Sequence, residues 1–192
     1  MNRAYKQMRR AERQAAVRQR IVDAAIELHQ TIGPNATSMA EIAQTAKVSR
    51  VTVYRHFADM ELLARACSGH YFATHPPPDP ARWAAIGDPR ERLNAGLKEA
   101  YGYHRATEAM MSRVLADARD HPVMGPYHAL WRTAADVLAR PFKLQRSAND
   151  ELRSTIWLML SFDAWRLMVR DQGLTDERAL ALALRLCALA AE

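Results

Sequence analysis

Residues 20–63 read RIVDAAIELHQTIGPNATSMAEIAQTAKVSRVTVYRHFADMELL, and their spacing decides the fold. Ile21, Ala24, Ala25, Leu28 and Ile32 recur every three or four residues, the period of one helix face. Gly33-Pro34-Asn35 stops that helix. Ser38 stands three residues before Glu41, the reciprocal pair of a capping box, so a short helix opens at Met39 and runs to about Ala46. Ser49 caps a second helix through Phe57, and Asp59 caps a longer one over about 60–72. Only Lys47, Val48 and Ser49 separate the first two. Two short capped helices joined by so tight a turn form a helix-turn-helix.

The side chains divide cleanly between two faces. Ile42, Ala43 and Ala46 supply an inner face, Val48 plugs the turn, and Val53 and Phe57 continue inward on the second helix. The small alanines let the two helices approach closely. Arg50, Val51, Thr52, Tyr54, Arg55 and His56 are left facing outward. Arginine grips guanine bidentately, valine and the threonine methyl meet thymine methyls, and Tyr, His and Thr bond phosphates. A merely solvated helix face has no use for Val51 and Tyr54.

The stretch resembles the N-terminal domain of the tetracycline-repressor (TetR) family of bacterial transcription regulators. The resemblance rests on the AA.ELH..IG pattern, the T-S-x-x-x-I-A block, V-S-x-x-T-V-Y-x-H-F and the following D-x-E-L-L, about a quarter of the chain. It implies a homodimer on a palindromic duplex operator, with Arg50, Val51, Thr52, Tyr54, Arg55 and His56 at the DNA surface. Ser38 would cap the supporting helix, whose N-terminus would aim at a phosphate. It also implies a small-molecule pocket in the C-terminal part. Three positions depart from the family pattern. Lys47 replaces a frequent turn glycine, Met60 replaces a phosphate-contacting lysine, and Met39 and Ala40 offer little polar chemistry.

Working outward, residues 1–70 hold eleven Lys and Arg against six Asp and Glu, while residues 71–192 hold sixteen against fifteen. The excess concentrates in residues 1–20, in Arg3, Lys6, Arg9, Arg10, Arg13, Arg18 and Arg20, and residues 1–17 make a basic arm that meets a polyanion or stays solvated. It lacks the apolar core of a secretory signal. The most apolar stretch, residues 157–169, is 13 residues long and includes Asp163 and Arg166, too short and too charged to span a bilayer. Cys67 and Cys187 are the only cysteines, so neither a disulfide framework nor a cysteine zinc site arises. These features predict a soluble, cytoplasmic protein.

The rest of the chain also reads as helix, giving an all-α fold of about nine helices. His75-Pro76-Pro77-Pro78-Asp79-Pro80 interrupts it as a linker. Further helices are predicted over about 88–104, 108–120, 127–140, 150–172 and 175–191. The domain expectation is the arm at 1–17, a DNA-binding domain at 18–72 with its connecting helix at 60–72, and a ligand-binding and dimerisation domain at 73–192. In the last helix, Leu182, Leu186 and Leu189 give one apolar stripe and Leu180, Leu184 and Cys187 another. One stripe covers a monomer core; two call for a partner copy.

Aromatic, Met and His residues gather after residue 100. Tyr101, His104, Met111, Trp131, Trp157, Ser161 and Trp165 are the candidate ligand residues, because apolar walls with a few polar groups make a small-molecule pocket. Without Lys or Arg among them, the ligand is expected to be neutral and mostly apolar. The alternative for such stripes is plain core. Asp163 calls for an arginine, Arg166 at i+3 or one from a second subunit. No catalytic residues, no metal site and no cofactor are assigned, because no phosphate loop, HExxH or GxSxG occurs. The expected function is a ligand-released repressor. The alternatives are a constitutive or architectural DNA-binding protein with no inducer, and an all-α small-molecule binder or enzyme with a vestigial helix-turn-helix.

Overall fold

The structure is a computed structural model and describes residues 3–192. Its described residues form α1 (Arg3–Thr31), α2 (Met39–Thr45), α3 (Arg50–His56), α4 (Met60–Thr74), α5 (Pro80–Ala84), α6 (Pro89–Asp117), α7 (Gly125–Ala139), α8 (Arg146–Leu160), α9 (Phe162–Arg166) and α10 (Asp176–Leu189), with no strand among them. There are ten helices rather than nine, for three local reasons. Asp79 and Pro80 start the short α5, with Asp79 Oδ1 accepting from the Ala81 N–H at 2.9 Å and proline at the first position, where no amide donor is needed. The segments expected over 88–104 and 108–120 are one helix, because Arg105, Ala106 and Thr107 contain no breaker and the Thr107 hydroxyl donates back to the Tyr103 carbonyl at 2.8 Å. The helix expected over 150–172 begins earlier and breaks at Ser161, after which α9 passes into a wider, π-type turn at Leu167–Asp171.

α1 also begins well before the arm expected from composition ends. The basic residues from Arg3 onward are the first turns of the helix that carries Ile21 and Ala25; residues 1 and 2 lie outside the described residues.

The chain forms two compact units. The first takes residues up to His75 together with Ala109–Val123. Its core is Ile21, Val22, Ala24, Ala25, Met39, Ile42, Ala43, Ala46, Val53, Phe57, Leu63 and Cys67, drawn from α1 through α4. The Cys67 thiol points at the Val22 carbonyl, and burial pushes its pKa up to about 12, so it is an inert core group. The end of α6 is tied into this unit by Asp117, whose Oδ2 accepts from the Asn35 N–H at 3.1 Å. Gly33, at φ +88°, is required there, since a Cβ would collide with the Asp117 carboxylate.

The second unit is Pro76–Glu108 with Met124–Glu192. α7 packs on α5 and α8, and α8 packs on α9 and α10. At Gly96 a Cβ would sit 2.8 Å from the Leu138 methyls, so the missing side chain is what lets α6 approach α7. The inward stripe of α10 is Ala179, Ala183 and Cys187, small residues that let it lie close to its neighbours. Leu186 and Leu189 stay exposed instead, with Leu189 at 65%.

Candidate functional site

The helix-turn-helix is built by local chemistry. Ser38 N–H donates to Glu41 Oε2 at 2.8 Å and Glu41 N–H to Ser38 Oγ at 3.3 Å, the full capping box at the start of α2. Ser38 itself remains exposed. At the turn, Val48 N–H donates to the Ala43 carbonyl at 3.0 Å. Lys47 adopts φ +53°, the left-handed region that a glycine would fill without strain. Ser49 Oγ accepts from the Thr52 N–H at 3.1 Å and lies 2.9 Å from the Thr52 hydroxyl, which opens α3.

Only Val53 of α3, followed by Phe57, enters the core. Arg50, Val51, Tyr54 and Arg55 are exposed, Val51 at 76% and Tyr54 at 47%, while Thr52 and His56 are half-buried. Six residues singled out from the sequence therefore share one seven-residue helix, and the apolar Val51 is the most exposed of its large hydrophobic side chains. The face is cationic and no ion pair among the described residues neutralises Arg50 or Arg55. Arg18 of α1 stacks its guanidinium 4.7 Å above the Phe57 ring, a cation–π contact that holds α1 to the end of α3.

One feature of this face was not assigned from the sequence. Arg10, Arg13, Gln14 and Val17 of α1 line an open cleft of about 360 Å³ with Arg55 and His56. Positions 10, 13, 14 and 17 follow the i, i+3, i+4, i+7 rule, a signal readable in the sequence once the arm is taken as helix. His56 Nε2 is buried there without a hydrogen-bond partner. Desolvation, then Arg55 and Arg18, hold the His56 pKa below its ordinary value, so the ring stays neutral at pH 7.

Residues 21–67 match the family described as bacterial regulatory proteins, tetR family. Over 162 residues the chain is 28% identical to an uncharacterized HTH-type transcriptional regulator in the dhlA 5' region of Xanthobacter autotrophicus, covering 78% of this chain and 77% of that protein. The likeness to the tetR family lies in these N-terminal helices. Solved structures of the same fold extend the likeness to nearly the whole chain. A TetR-like transcriptional regulator from Rhodococcus sp. RHA1 superposes with a TM-score of 0.63 at 20% identity, over 93% of this chain and 98% of that one. NalD, the secondary repressor of the MexAB-OprM multidrug efflux pump in Pseudomonas aeruginosa, does so with a TM-score of 0.60 at 18% identity, over 93% and 97%.

In the second unit, His104 is the centre of an aromatic cluster. Its ring lies 5.0 Å from Trp131, 5.7 Å from Phe162 and 5.9 Å from Trp165, centroid to centroid, and it is fully buried. His104 Nε2 is 2.8 Å from the Leu160 carbonyl. A carbonyl only accepts, so Nε2 carries the proton and the neutral ring presents a bare acceptor at Nδ1. Burial lowers its pKa to about 4, against weaker opposing effects of the Leu160 bond and Asp163. Among the described residues, His104 Nδ1, Tyr101 Oη and Trp131 Nε1 are buried here without a hydrogen-bond partner. Tyr101 sits one turn before His104 on α6.

Trp165 of this cluster is buried and donates from Nε1 to Asp176 Oδ1 at 3.3 Å, and the remaining candidates separate from the cluster. Trp157 is 52% exposed, because α8 turns it away from Ile156 and Leu160. The Ser161 hydroxyl is occupied as a cap, accepting from Ala164 N–H and donating to the Leu158 carbonyl at 2.7 Å. Met111 is buried on the stretch of α6 that belongs to the first unit. Arg166 pairs with Asp171 at 4.0 Å. Among the described residues no group of three or more His, Cys, Asp or Glu is placed to hold a metal ion, and no helix is long and apolar enough to cross a membrane.

Proposed function

We propose that this protein is a ligand-responsive transcriptional repressor, cytoplasmic and without enzymatic activity, that binds a palindromic operator as a homodimer. The observation that carries the reading is the exposed face of α3, where Arg50, Val51, Tyr54 and Arg55 stand out from a helix locked by caps at Ser38 and Ser49. Residues 18–72 hold this element and would read DNA. Two copies related by dimer symmetry would enter successive major grooves about 34–36 Å apart. Arg50, Val51 and Arg55 would read bases, and Ser38, Thr52, Tyr54 and His56 would hold the backbone.

Residues 73–192 would bind the effector and form the dimer. Trp157, Leu158, Leu186 and Leu189 are exposed on α8 and α10, an apolar surface that a second copy of the chain would cover. The effector would sit among Tyr101, His104, Trp131 and Trp165, where buried polar atoms lack partners among the described residues. No Lys or Arg is among them, so a neutral, mostly apolar molecule fits best. α6 runs from that cluster into the first unit, where Asp117 grips the Gly33–Asn35 turn, so a ligand that shifts α6 would disturb the reading head.

Tryptophan fluorescence tests the scheme. Compounds that quench Trp131 and Trp165 are titrated with and without operator duplex. Coupling of about 1–3 kcal/mol is reciprocal, so operator should weaken effector binding roughly 5- to 150-fold. A hit whose affinity ignores the operator is not an inducer, because equal affinity for two states shifts neither. Operator binding with no effector of any class would favour the constitutive DNA-binding reading.

A further inference from the structure

We propose that the cleft between the N-terminal turns of α1 and the end of α3 is a phosphate site, and that it grips a backbone phosphate of the operator beside the groove read by α3. The inference rests on the DNA-binding reading and adds the basic N-terminal helix to the interface. Along α1 the face made by Val17, Ile21, Ala24, Ala25 and Leu28 packs on the first unit's core. One and two turns earlier the same face presents Gln14, Arg13 and Arg10. The stripe thus changes from apolar to cationic where it passes over Arg55 and His56.

Arg10 and Arg13 line that cleft from α1 and Arg55 borders it from α3. No carboxylate among the described residues pairs with Arg10, Arg13 or Arg55, whereas Arg105 pairs with Asp176 and Arg170 with Glu108 elsewhere. Like charges gathered without a counter-ion favour an anion between them. Planar guanidinium forks match phosphate oxygens bidentately. The His56 ring lines the same cleft, and its Nε2 is buried without a hydrogen-bond partner among the described residues. Gln14 adds an amide donor. Arg9, by contrast, turns to Tyr5, donating to its hydroxyl at 3.2 Å, so the cleft is a selected subset of the basic residues.

The test compares the wild-type chain with Arg10→Ala/Arg13→Ala and Arg10→Lys/Arg13→Lys on the selected operator, by fluorescence anisotropy from about 50 to 200 mM salt. The alanine pair should lower the log–log salt slope by about 2 while leaving the ranking of mutated half-sites unchanged. The lysine pair, which keeps both charges, should retain the slope. An unchanged slope in the alanine pair, with the wild type binding normally, overturns this inference alone. A changed half-site ranking would make the arginines base readers and overturn it too. Failure of the wild-type chain to bind any duplex removes both this inference and the function it rests on. A second arm measures thermal unfolding without DNA, in inorganic phosphate and in chloride at equal ionic strength. Equal shifts in wild type and alanine pair, with a lowered salt slope in the alanine pair, support the operator backbone as the occupant. A phosphate-specific rise confined to the wild type supports a phosphate site when the slope is also lowered, and with an unchanged slope it would assign the cleft to free phosphate and overturn the operator assignment.

Discussion

Acidification probes the aromatic cluster of the second unit through one side chain, His104. Its ring is fully buried with Nε2–H donating to the Leu160 carbonyl, and burial lowers its pKa from 6.5 to about 4. In the unfolded chain the ring takes up a proton below about pH 6.5; in the folded chain it refuses one until about pH 4. A depressed histidine pKa therefore leaves stability intact above pH 6.5 and erodes it as the pH falls toward 4. Linkage puts the loss at about 2 kcal/mol by pH 5 and about 3 kcal/mol by pH 4. His104→Gln keeps an amide N–H for the Leu160 carbonyl and removes the titration. The variant should be less stable than wild type at pH 7, and the gap should close by about 2 kcal/mol at pH 5. Other acid-sensitive groups, including His29, whose ring burial also keeps neutral, act in both proteins and cancel. Urea unfolding followed by far-ultraviolet circular dichroism reads this as a difference of about 1 M in midpoint shift. Parallel loss of stability in the two proteins from pH 7 to pH 5 would refute a buried, neutral His104.

Three further outcomes follow from particular residues. Arg50→Ala or Arg55→Ala should each cost about 1–3 kcal/mol of operator affinity and relax preference at one base per half-site, as measured by anisotropy on a set of single-base operator variants. Leu186→Glu with Leu189→Glu should give monomers in analytical ultracentrifugation, because both leucines are exposed on α10; persistence of dimers at micromolar concentration would place the interface elsewhere. Lys47→Gly should raise the melting temperature, since relieving a left-handed non-glycine residue gains about 1 kcal/mol less the entropy glycine adds to the unfolded chain. An unchanged or lower melting temperature would mean that the turn holds Lys47 without strain.

The N-terminal half of the fold was legible because its signals are local. Ser38 with Glu41, Ser49 and Asp59 each mark a helix start by side-chain chemistry that acts within three residues, and all three caps form. The second half depends on longer-range effects. Ser161 reads as one more polar residue on a long helix, yet its hydroxyl competes for backbone groups and ends α8. That break separates Trp157 from Trp165, which an unbroken helical spacing places on one face. The Ala179, Ala183 and Cys187 stripe of α10 was overlooked for a related reason, because leucine patterns carry more weight than small residues in a periodicity reading. The Asp79-Pro80 start of α5 was available in the sequence, but the surrounding prolines read as a linker. The cleft of Arg10 and Arg13 required knowing that α1 starts at Arg3, which composition alone does not give.

In vitro selection of random duplexes by the purified protein tests most directly whether α3 reads DNA from a symmetric dimer. Enrichment of an inverted repeat, with half-sites centred about 10 base pairs or a multiple of that apart, is the predicted result. Recovery of no motif, or of a motif without two-fold symmetry, would contradict it.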